Sequence, residues 1–464
     1  MLTNASYRYS YLTDLLYYGY MTLEPLKYFD SLYPAETRKK EISQFIPFLE
    51  QGLSSQLVGL PGCGKSNIFR LLSYNKDARF ENFGEYERFL HFVYIDCSEI
   101  KGKPLFDVTK FIMISLSFSL GERRLIEESK YINQLLKEGL EISDEMMLFQ
   151  SLKKSLDYLS IEKKLTVHLL FDKFDMIVPQ ITSEFFTNLR VLRNHAKYRF
   201  GSIFSLNRPL EESVDPQLLT DYHDLIAGNI VYPALYDKVG IDFRLSYIEK
   251  AARKPVDPTV KEKIISLTGG HAKLTKLSYE AVISEEGSVE NLEEFLLKRS
   301  TVQGSLYELW NALLPSEQLA LKRGENFQKI GEEFPYLVLS GLINESGITM
   351  PIFSSYIKGV PVESTEKIIY DSEKNEILMG TTPLADKLSP SEFKLMRFLI
   401  ENKERLCSKD EIIQSVWGDQ KSYEGVTDQA LDQIFYRLRK KIEQDPQNPH
   451  YIHTIKGKGY KLND

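Results

Sequence analysis

Gly59-Leu60-Pro61-Gly62-Cys63-Gly64-Lys65-Ser66 is the stretch on which the reading of this chain turns. It fits the pattern G-x-x-x-x-G-K-S/T at every specified position. The apolar run Ser55-Gln56-Leu57-Val58-Gly59-Leu60 precedes it and reads as a short buried strand. Helical periodicity resumes at Ile68. A glycine-rich turn in that setting lets the backbone curl so that N–H groups at a helix N-terminus face phosphate oxygens. Gly59, Pro61, Gly62, Cys63, Gly64, Lys65, Ser66 and Asn67 are therefore the expected phosphate cradle. Lys65 would reach the β- and γ-phosphates, and the Ser66 hydroxyl would hold Mg²⁺. The plain alternative is a glycine turn without a ligand; the strand before it and the helix after it argue against that.

Three more apolar runs read as strands: Phe92 to Cys97, Leu165 to Phe171 and Ser202 to Leu206, with helical patterns between them. Continuous apolar runs suit parallel strands buried on both faces of a sheet and joined by crossover helices. The third run ends in Asp172, the expected second ligand position for the metal, through water. Lys173 follows, where an energetic hydrolase would place a glutamate; a protonated lysine cannot act as a base. Asp175 either substitutes for that glutamate or caps the next helix. Asn207 and Arg208 close the fourth run, where a polar residue and a cation can sense a γ-phosphate; the alternative is a solvated turn before Pro209. The expected outcome is slow hydrolysis or a binding-only switch, with Asp172, Asp175 and Arg208 as the catalytic candidates.

The whole chain has 464 residues, too many for one core, and its apolar and charged fractions of 42% and 27% are ordinary for a globular protein. A net charge of −7 excludes a basic nucleic-acid coat, so any contact with DNA must come from a local patch. Cys63, Cys97 and Cys407 are far apart, which excludes a cysteine zinc site or a disulfide scaffold. The N-terminus shows no signal pattern, and no run reaches the ~20 apolar residues of a membrane helix. A prokaryotic cytoplasmic or nucleoid location is the expectation.

The local basic patch lies at the C-terminal end. Ser389 with Glu392 makes a capping box that opens a helix. Glu411 to Trp417 reads as a second helix and Thr427 to Ile442 as a third. In the third, Leu431, Phe435, Leu438 and Ile442 form one apolar stripe. Gln433, Tyr436, Arg437 and Lys440 are left on the outer side, an amide, an aromatic and cations at one-turn intervals, as major-groove readout needs. Tyr451 to Leu462 reads as a glycine-tipped hairpin with Lys456 and Lys458 on its crest. Residues 437–461 hold seven Lys or Arg against Glu443 and Asp445. Isolated charges would be read as a solvated face; this order of helices and hairpin is not isolated charge.

The residues from about 366 to 464 closely resemble the OmpR/PhoB-type DNA-binding domain of bacterial response regulators. Leu388-Ser389-Pro390-Ser391-Glu392-Phe393, the stretch Arg437 to Glu443 and Ile452 to Leu462 carry the resemblance. It implies a base contact from Arg437, phosphate contacts from Arg439 and its neighbours, and a wing contact from Lys456. Tyr436 and Ile434 stand where that family often has polar or basic residues.

Upstream, the glycine loop, the Asp172 and Asn207-Arg208 strand ends and a helical lid look like the AAA+ and STAND group of P-loop ATPases, over roughly residues 30–360. Glu36 to Glu41 resembles that group's glycine-arginine-x-x-glutamate element beside the adenine, with Thr37 in place of glycine, which implies nucleotide contact from Arg38. Leu267 to Leu274 resembles either the glycine-x-proline element of STAND proteins or the glycine-x-alanine-arginine sensor of origin-recognition ATPases. Either match brings His271 or Lys273 toward the nucleotide; a glycine-started helix with exposed polar residues is the alternative. Residues 301–360 resemble the winged helix that follows the lid, expected to pack on the ATPase and not to read DNA.

The expected architecture is an α/β P-loop NTPase, a parallel sheet with flanking helices, followed by a helical lid and two winged helices. The expected divisions are 1–45 helical, 46–228 ATPase core, 229–300 lid, 301–362 first winged helix and 365–464 DNA-binding domain. The expected function is a nucleotide-switched transcriptional regulator using ATP or ADP and Mg²⁺. Double-stranded DNA is its partner, with a protein or small-molecule effector and nucleotide-dependent homo-oligomers as further expectations. The alternative is an origin-recognition-like, mobile-element or defence ATPase that loads on DNA.

Overall fold

The computed structural model describes residues 28–141, 144–285, 291–324, 326–360, 367–380, 382–384, 387–418, 428–443, 446–447, 449–455 and 457–463. The tyrosine-rich start of the chain, the linker at 361–366 and Lys456 lie outside the described residues.

Five parallel strands form the central sheet, in the order β2-β3-β4-β1-β5. They are β1 (Ser55–Val58), β2 (Leu90–Asp96), β3 (Thr166–Asp172), β4 (Phe200–Leu206) and β5 (Ile230–Val231). Every residue of β1, β3 and β4 is buried, as the unbroken apolar runs require. Side chains alternate between the faces. Leu57, Leu170 and Ile203 join one core with Ile42, Phe45, Ile68 and Phe69. Val58, Leu169 and Phe204 join the other. The first face is covered by α1 (Lys39–Glu50) and α2 (Lys65–Tyr74), the second by α3 (Leu105–Glu122), α4 (Ile126–Glu141), α5 (Glu145–Asp157) and α6 (Ser183–His195). Each fully buried Leu, Ile or Phe contributes about 2 kcal/mol, so two such faces hold the sheet rigid.

Strand β5 falls in a stretch read from sequence as wholly helical. Its two residues pair with Gln56 and Leu57 of β1, and two residues are too few to display a period.

The lid consists of α7 (Lys238–Ala252), α8 (Pro258–Thr268) and α9 (Ala272–Ile283). The first winged helix follows, with α10 (Ser300–Asn311), α11 (Pro315–Arg323), α12 (Pro335–Leu339), the hairpin β6 (Ile343–Asn344) and β7 (Gly347–Ile348), and α13 (Pro351–Gly359). Ile264 and Tyr279 of the lid and Leu306, Leu313, Leu337 and Phe353 of the winged helix share one continuous core with the sheet. This winged helix therefore packs onto the α/β body.

The C-terminal domain has a separate core. Its leading strands β8 (Ile368–Asp371), β9 (Glu376–Met379) and β10 (Thr382–Pro383) form one sheet. Then come α14 (Pro390–Glu401), α15 (Lys409–Trp417), α16 (Asp428–Ile442) and the wing β11 (Ile452–Ile455) and β12 (Gly459–Leu462). The Ser389–Glu392 capping box forms, with the Ser389 amide donating to Glu392 at 2.8 Å. A second box, Ser408 with Glu411, opens α15.

Candidate functional site

Because all five strands run parallel, their carboxyl ends share one edge, where ligands of open α/β sheets bind. The glycine loop emerges there from β1. Gly62 and Gly64 have φ of 75° and 108°, in the left-handed region. Crowding also demands glycine: a Cβ on Gly62 would lie 2.8 Å from Lys273, and one on Gly64 would lie 2.7 Å from Arg38.

Three residues from two distant segments grip this loop. Arg38, itself in the left-handed region at φ 57°, donates to the Cys63 carbonyl at 2.7 Å and to Ala234 at 2.6 Å. Its remaining reach goes to Glu41 at 2.9 Å and Asp237 at 3.8 Å. From the lid, the Lys273 amide donates to the Gly62 carbonyl at 3.0 Å, while the Lys273 ammonium pairs with Glu308 of α10. His271 lies within 2.9 Å of the Pro61 carbonyl through Nε2, and its Nδ1 accepts the Leu274 amide. Burial lowers the His271 pKa to about 4, so the ring is neutral at neutral pH. A neutral ring whose Nδ1 accepts must carry its proton on Nε2, which therefore donates to Pro61.

Lys65 donates to the loop carbonyls of Gly59 and Leu60 at 2.6 and 3.0 Å and to Oδ1 of Asn207 at 3.1 Å. Asn67 donates to Asp30 at 3.1 Å, which ties the first turn of α2 to the segment before α1. Ser66 is half-buried at the N-terminus of α2. The first amides of that helix have no acceptor within it, as in any α-helix.

Asp172 is fully buried at the end of β3 and accepts from the Tyr94 hydroxyl at 2.7 Å and from the Lys173 amide at 3.0 Å. Lys173 has φ of 56° and pairs with Asp96 at 2.9 Å. Asp96 ends β2 in register with Asp172 on β3. Burial alone would raise the Asp96 pKa; bonds from Ser98 and Lys173 outweigh it and hold the carboxyl below its usual range. Asp175 accepts the Asn207 amide at 3.1 Å, and burial raises its pKa against the pull of Lys65.

Arg208 turns to the first winged helix. It forms a two-pronged pair with Glu317 of α11, 2.8 Å on one side, and stacks 3.7 Å above the Tyr336 ring. Asp96, Tyr94, Glu308 and Glu317 were not singled out from sequence. Asp96 carried the same signal as Asp172, a carboxylate ending an apolar strand; the others gave none, because their partners are far along the chain.

On α16, Gln433, Tyr436 and Lys440 are exposed, while Leu431, Phe435, Leu438 and Ile442 are buried together with Ile434. Arg437 is half-buried: its Nε lies 3.9 Å from Glu392, and its Nη1 donates to the Val214 carbonyl of the ATPase body at 3.3 Å. Lys441 pairs with the same Glu392 at 2.7 Å. Arg439 straps the helix to the wing through Ile452 O at 2.8 Å and the Thr454 hydroxyl at 2.7 Å. Glu443 is buried and accepts the amides of His450, Tyr451 and Ile452, so it does not dilute the exposed basic charge. Tyr460 stacks on Phe435 and bonds Asp432 at 2.6 Å, which fixes the wing against the helix. Lys458 stands exposed at the tip of the wing.

Residues 385–462 match the family described as "Transcriptional regulatory protein, C terminal". The chain is similar to the sensory transduction protein RegX3 of Mycolicibacterium smegmatis, 38% identical over 92 residues, which is 20% of this chain and 38% of that protein. It is also similar to the protein PetR of Rhodobacter capsulatus, 34% identical over 95 residues, 20% of this chain and 39% of that one. The chain thus spans well under half the length of these relatives. Among solved structures, the Walker-type ATPase PABY2304 of Pyrococcus abyssi aligns at 13% identity and a TM-score of 0.43, over 73% of this chain and 99% of that one. The Aeropyrum pernix ORC2 protein in its ADP form aligns at 14% and 0.40, over 83% and 96%. The DNA-binding domain of Klebsiella pneumoniae RstA, solved with its RstA box, aligns at 23% and 0.18, over 22% and 94%. The family match, the helix order and the wing agree, so residues 385–462 are similar to the C-terminal domains of transcriptional regulatory proteins, joined here to a parallel α/β fold that carries the glycine loop.

Proposed function

We propose that this chain is a transcriptional regulator that binds double-stranded DNA through α16 and its wing and is switched by ATP and ADP. The observation that carries the nucleotide half is the glycine loop held at the carboxyl edge of the sheet, with Lys65 on Asn207. The residues fit the ligand. Gly62 and Gly64 take the left-handed conformations that a loop needs to curl its backbone around phosphate. Ser66 and Asp172 supply the hard oxygen donors that Mg²⁺ takes along with water and phosphate. Bound Mg²⁺ would neutralise phosphate charge at this edge. Arg38, His271 and Lys273 would position the loop, the last two from the lid and Arg38 from the start of the first helix, so that nucleotide and lid are coupled.

Hydrolysis is slow on this reading. The residue after Asp172 is Lys173, committed to Asp96, and no base stands there. Asp175 is the remaining carboxylate; its raised pKa suits proton uptake, while its bond to the Asn207 amide restrains it. The DNA half rests on the family match and on exposed Gln433, Tyr436, Lys440 and Lys458.

The experiment is to map bound sites and transcript levels with the wild type, Lys65→Ala and Lys440→Ala. The reading expects promoter-proximal sites that are lost with Lys440→Ala and whose occupancy depends on Lys65. Sites confined to a replication origin or an element end, without transcript changes, would favour the replication or mobile-element reading instead.

A further inference from the structure

The DNA-reading helix does not stand free. Its Arg437 donates to the carbonyl of Val214, at the end of the short helix Leu210–Ser213 that follows β4. Helix α16 also packs along α11 of the first winged helix. Lys387, just before α14, sits in the field of Arg208 and Glu317, the pair that joins β4 to α11. Two contacts from two parts of the body therefore meet α16, and the charge of Lys387 lies near the Arg208–Glu317 pair.

We propose that this seam is an autoinhibitory clasp: the ATPase body holds α16 so that a duplex cannot seat on it, and the Arg208–Glu317 pair is the latch. This rests on the reading of α16 as the DNA-reading helix.

The steric argument is direct. A recognition helix is about 10–12 Å across and fills a major groove about 12 Å wide, whose walls must rise on both of its sides. A backbone carbonyl 3.3 Å from Arg437 and a helix packed alongside occupy the space of one wall. The face bearing Gln433, Tyr436 and Lys440 remains exposed, so the helix is ready to read once the side is cleared.

The latch also has a line to the phosphate cradle. Lys65 bonds Asn207, whose chain neighbour is Arg208, whose guanidinium holds Glu317 on α11, which packs on α16. A displacement of Asn207 by any ligand that recruits Lys65 is thereby delivered to the seam. The seam is held at a cost that favours release. Burial and the Arg208 charge lower the Lys387 pKa to about 8, against the opposing pull of Glu317, so the docked state disfavours that ammonium.

The test uses the full chain, without nucleotide and again with ATP, and a random-sequence 40-bp duplex pool, about four helical turns. Two variants push in opposite directions. Glu317→Gln weakens the latch; Lys387→Met removes a charge that the docked state disfavours. Apparent affinity scales with the fraction of released helix, so the clasp predicts about tenfold tighter binding for Glu317→Gln and weaker binding for Lys387→Met. Amide hydrogen exchange over residues 428–442 reads the seam directly. It should quicken in Glu317→Gln and slow in Lys387→Met. Unchanged exchange in both folded variants overturns the clasp, whatever the DNA result. Altered exchange with no duplex binding by any form keeps the seam and refutes α16 as the reader. Altered exchange and affinity with a wild type indifferent to ATP keeps the clasp and refutes the nucleotide switch.

Discussion

The ammonium of Lys65 stands 3.1 Å from Oδ1 of Asn207, so the loop after β1 and the end of β4 are joined by a side-chain bond. Among the described residues Lys65 otherwise holds carbonyls of its own loop. Lys65→Ala should therefore leave the nucleotide-free fold within about 1 kcal/mol of wild type while weakening ATP binding at least ~100-fold. Asn207→Ala should weaken it by about tenfold. Isothermal titration with ATP, paired with thermal unfolding, separates binding from stability.

Glu317 is 2% exposed and Arg208 12%, so their pair is buried. Removing one partner leaves a charge in a poor environment. Arg208→Met should cost about 3 kcal/mol in denaturant unfolding. The double variant Arg208→Met with Glu317→Leu should recover a large part of that loss, because no charge is left unpaired. Equal losses in the single and double variants would show that packing, not the unpaired carboxylate, sets the cost.

Three buried histidines make the fold acid-sensitive. Burial pushes His91 and His168 down to about 3 and His271 to about 4. In the unfolded chain each takes up a proton near pH 6.5. Between these values the unfolded state binds more protons, so stability falls as pH drops from about 6.5 toward about 4. Both ring nitrogens of His168 are buried with no hydrogen-bond partner among the described residues, and the ring stacks on Phe92. His168→Phe should make the fall with pH shallower by one proton and leave stability at pH 8 close to wild type, as read from midpoints across a pH series.

Asp175 separates turnover from binding. Wild-type hydrolysis should run well below ~1 s⁻¹, under the usual range of enzymes. Asp175→Asn should lower that residual rate at least tenfold, on the order of a lost general base, with ATP affinity changed less than about threefold. A single-turnover assay with labelled ATP reads the first number and equilibrium titration the second. An unchanged rate would assign Asp175 solely to holding the Asn207 amide.

For the DNA face, Lys440→Ala and Lys458→Ala should each weaken duplex binding without regard to sequence and reduce the slope of log affinity against log salt by about one. Gln433→Ala should instead relax preference at one base position, costing about 1–3 kcal/mol at the preferred base. Binding across a salt series with a selected duplex and its single-base variants distinguishes the two behaviours.

Much of this protein was legible in the sequence because it is written in local period and composition. The glycine loop, the buried strands ending at Asp172 and Leu206, the Ser389 capping box and the apolar stripe of α16 each depend on residues within a few turns of one another. Such patterns determine which elements form and which face each buries. The two-residue strand β5 escaped because it is too short to have a period. Only the tertiary structure decided where the long charged side chains go. Arg208 could equally have faced a phosphate, yet it lies on Glu317, 109 residues away. Arg437 has the spacing of an outward-facing reader, yet it rests on Val214, 223 residues away. Arg439, two residues on in the basic helix, became a strap to the wing. A long flexible cation finds whichever partner the folded surfaces bring within its reach, and the chain records that partner at no fixed distance in sequence.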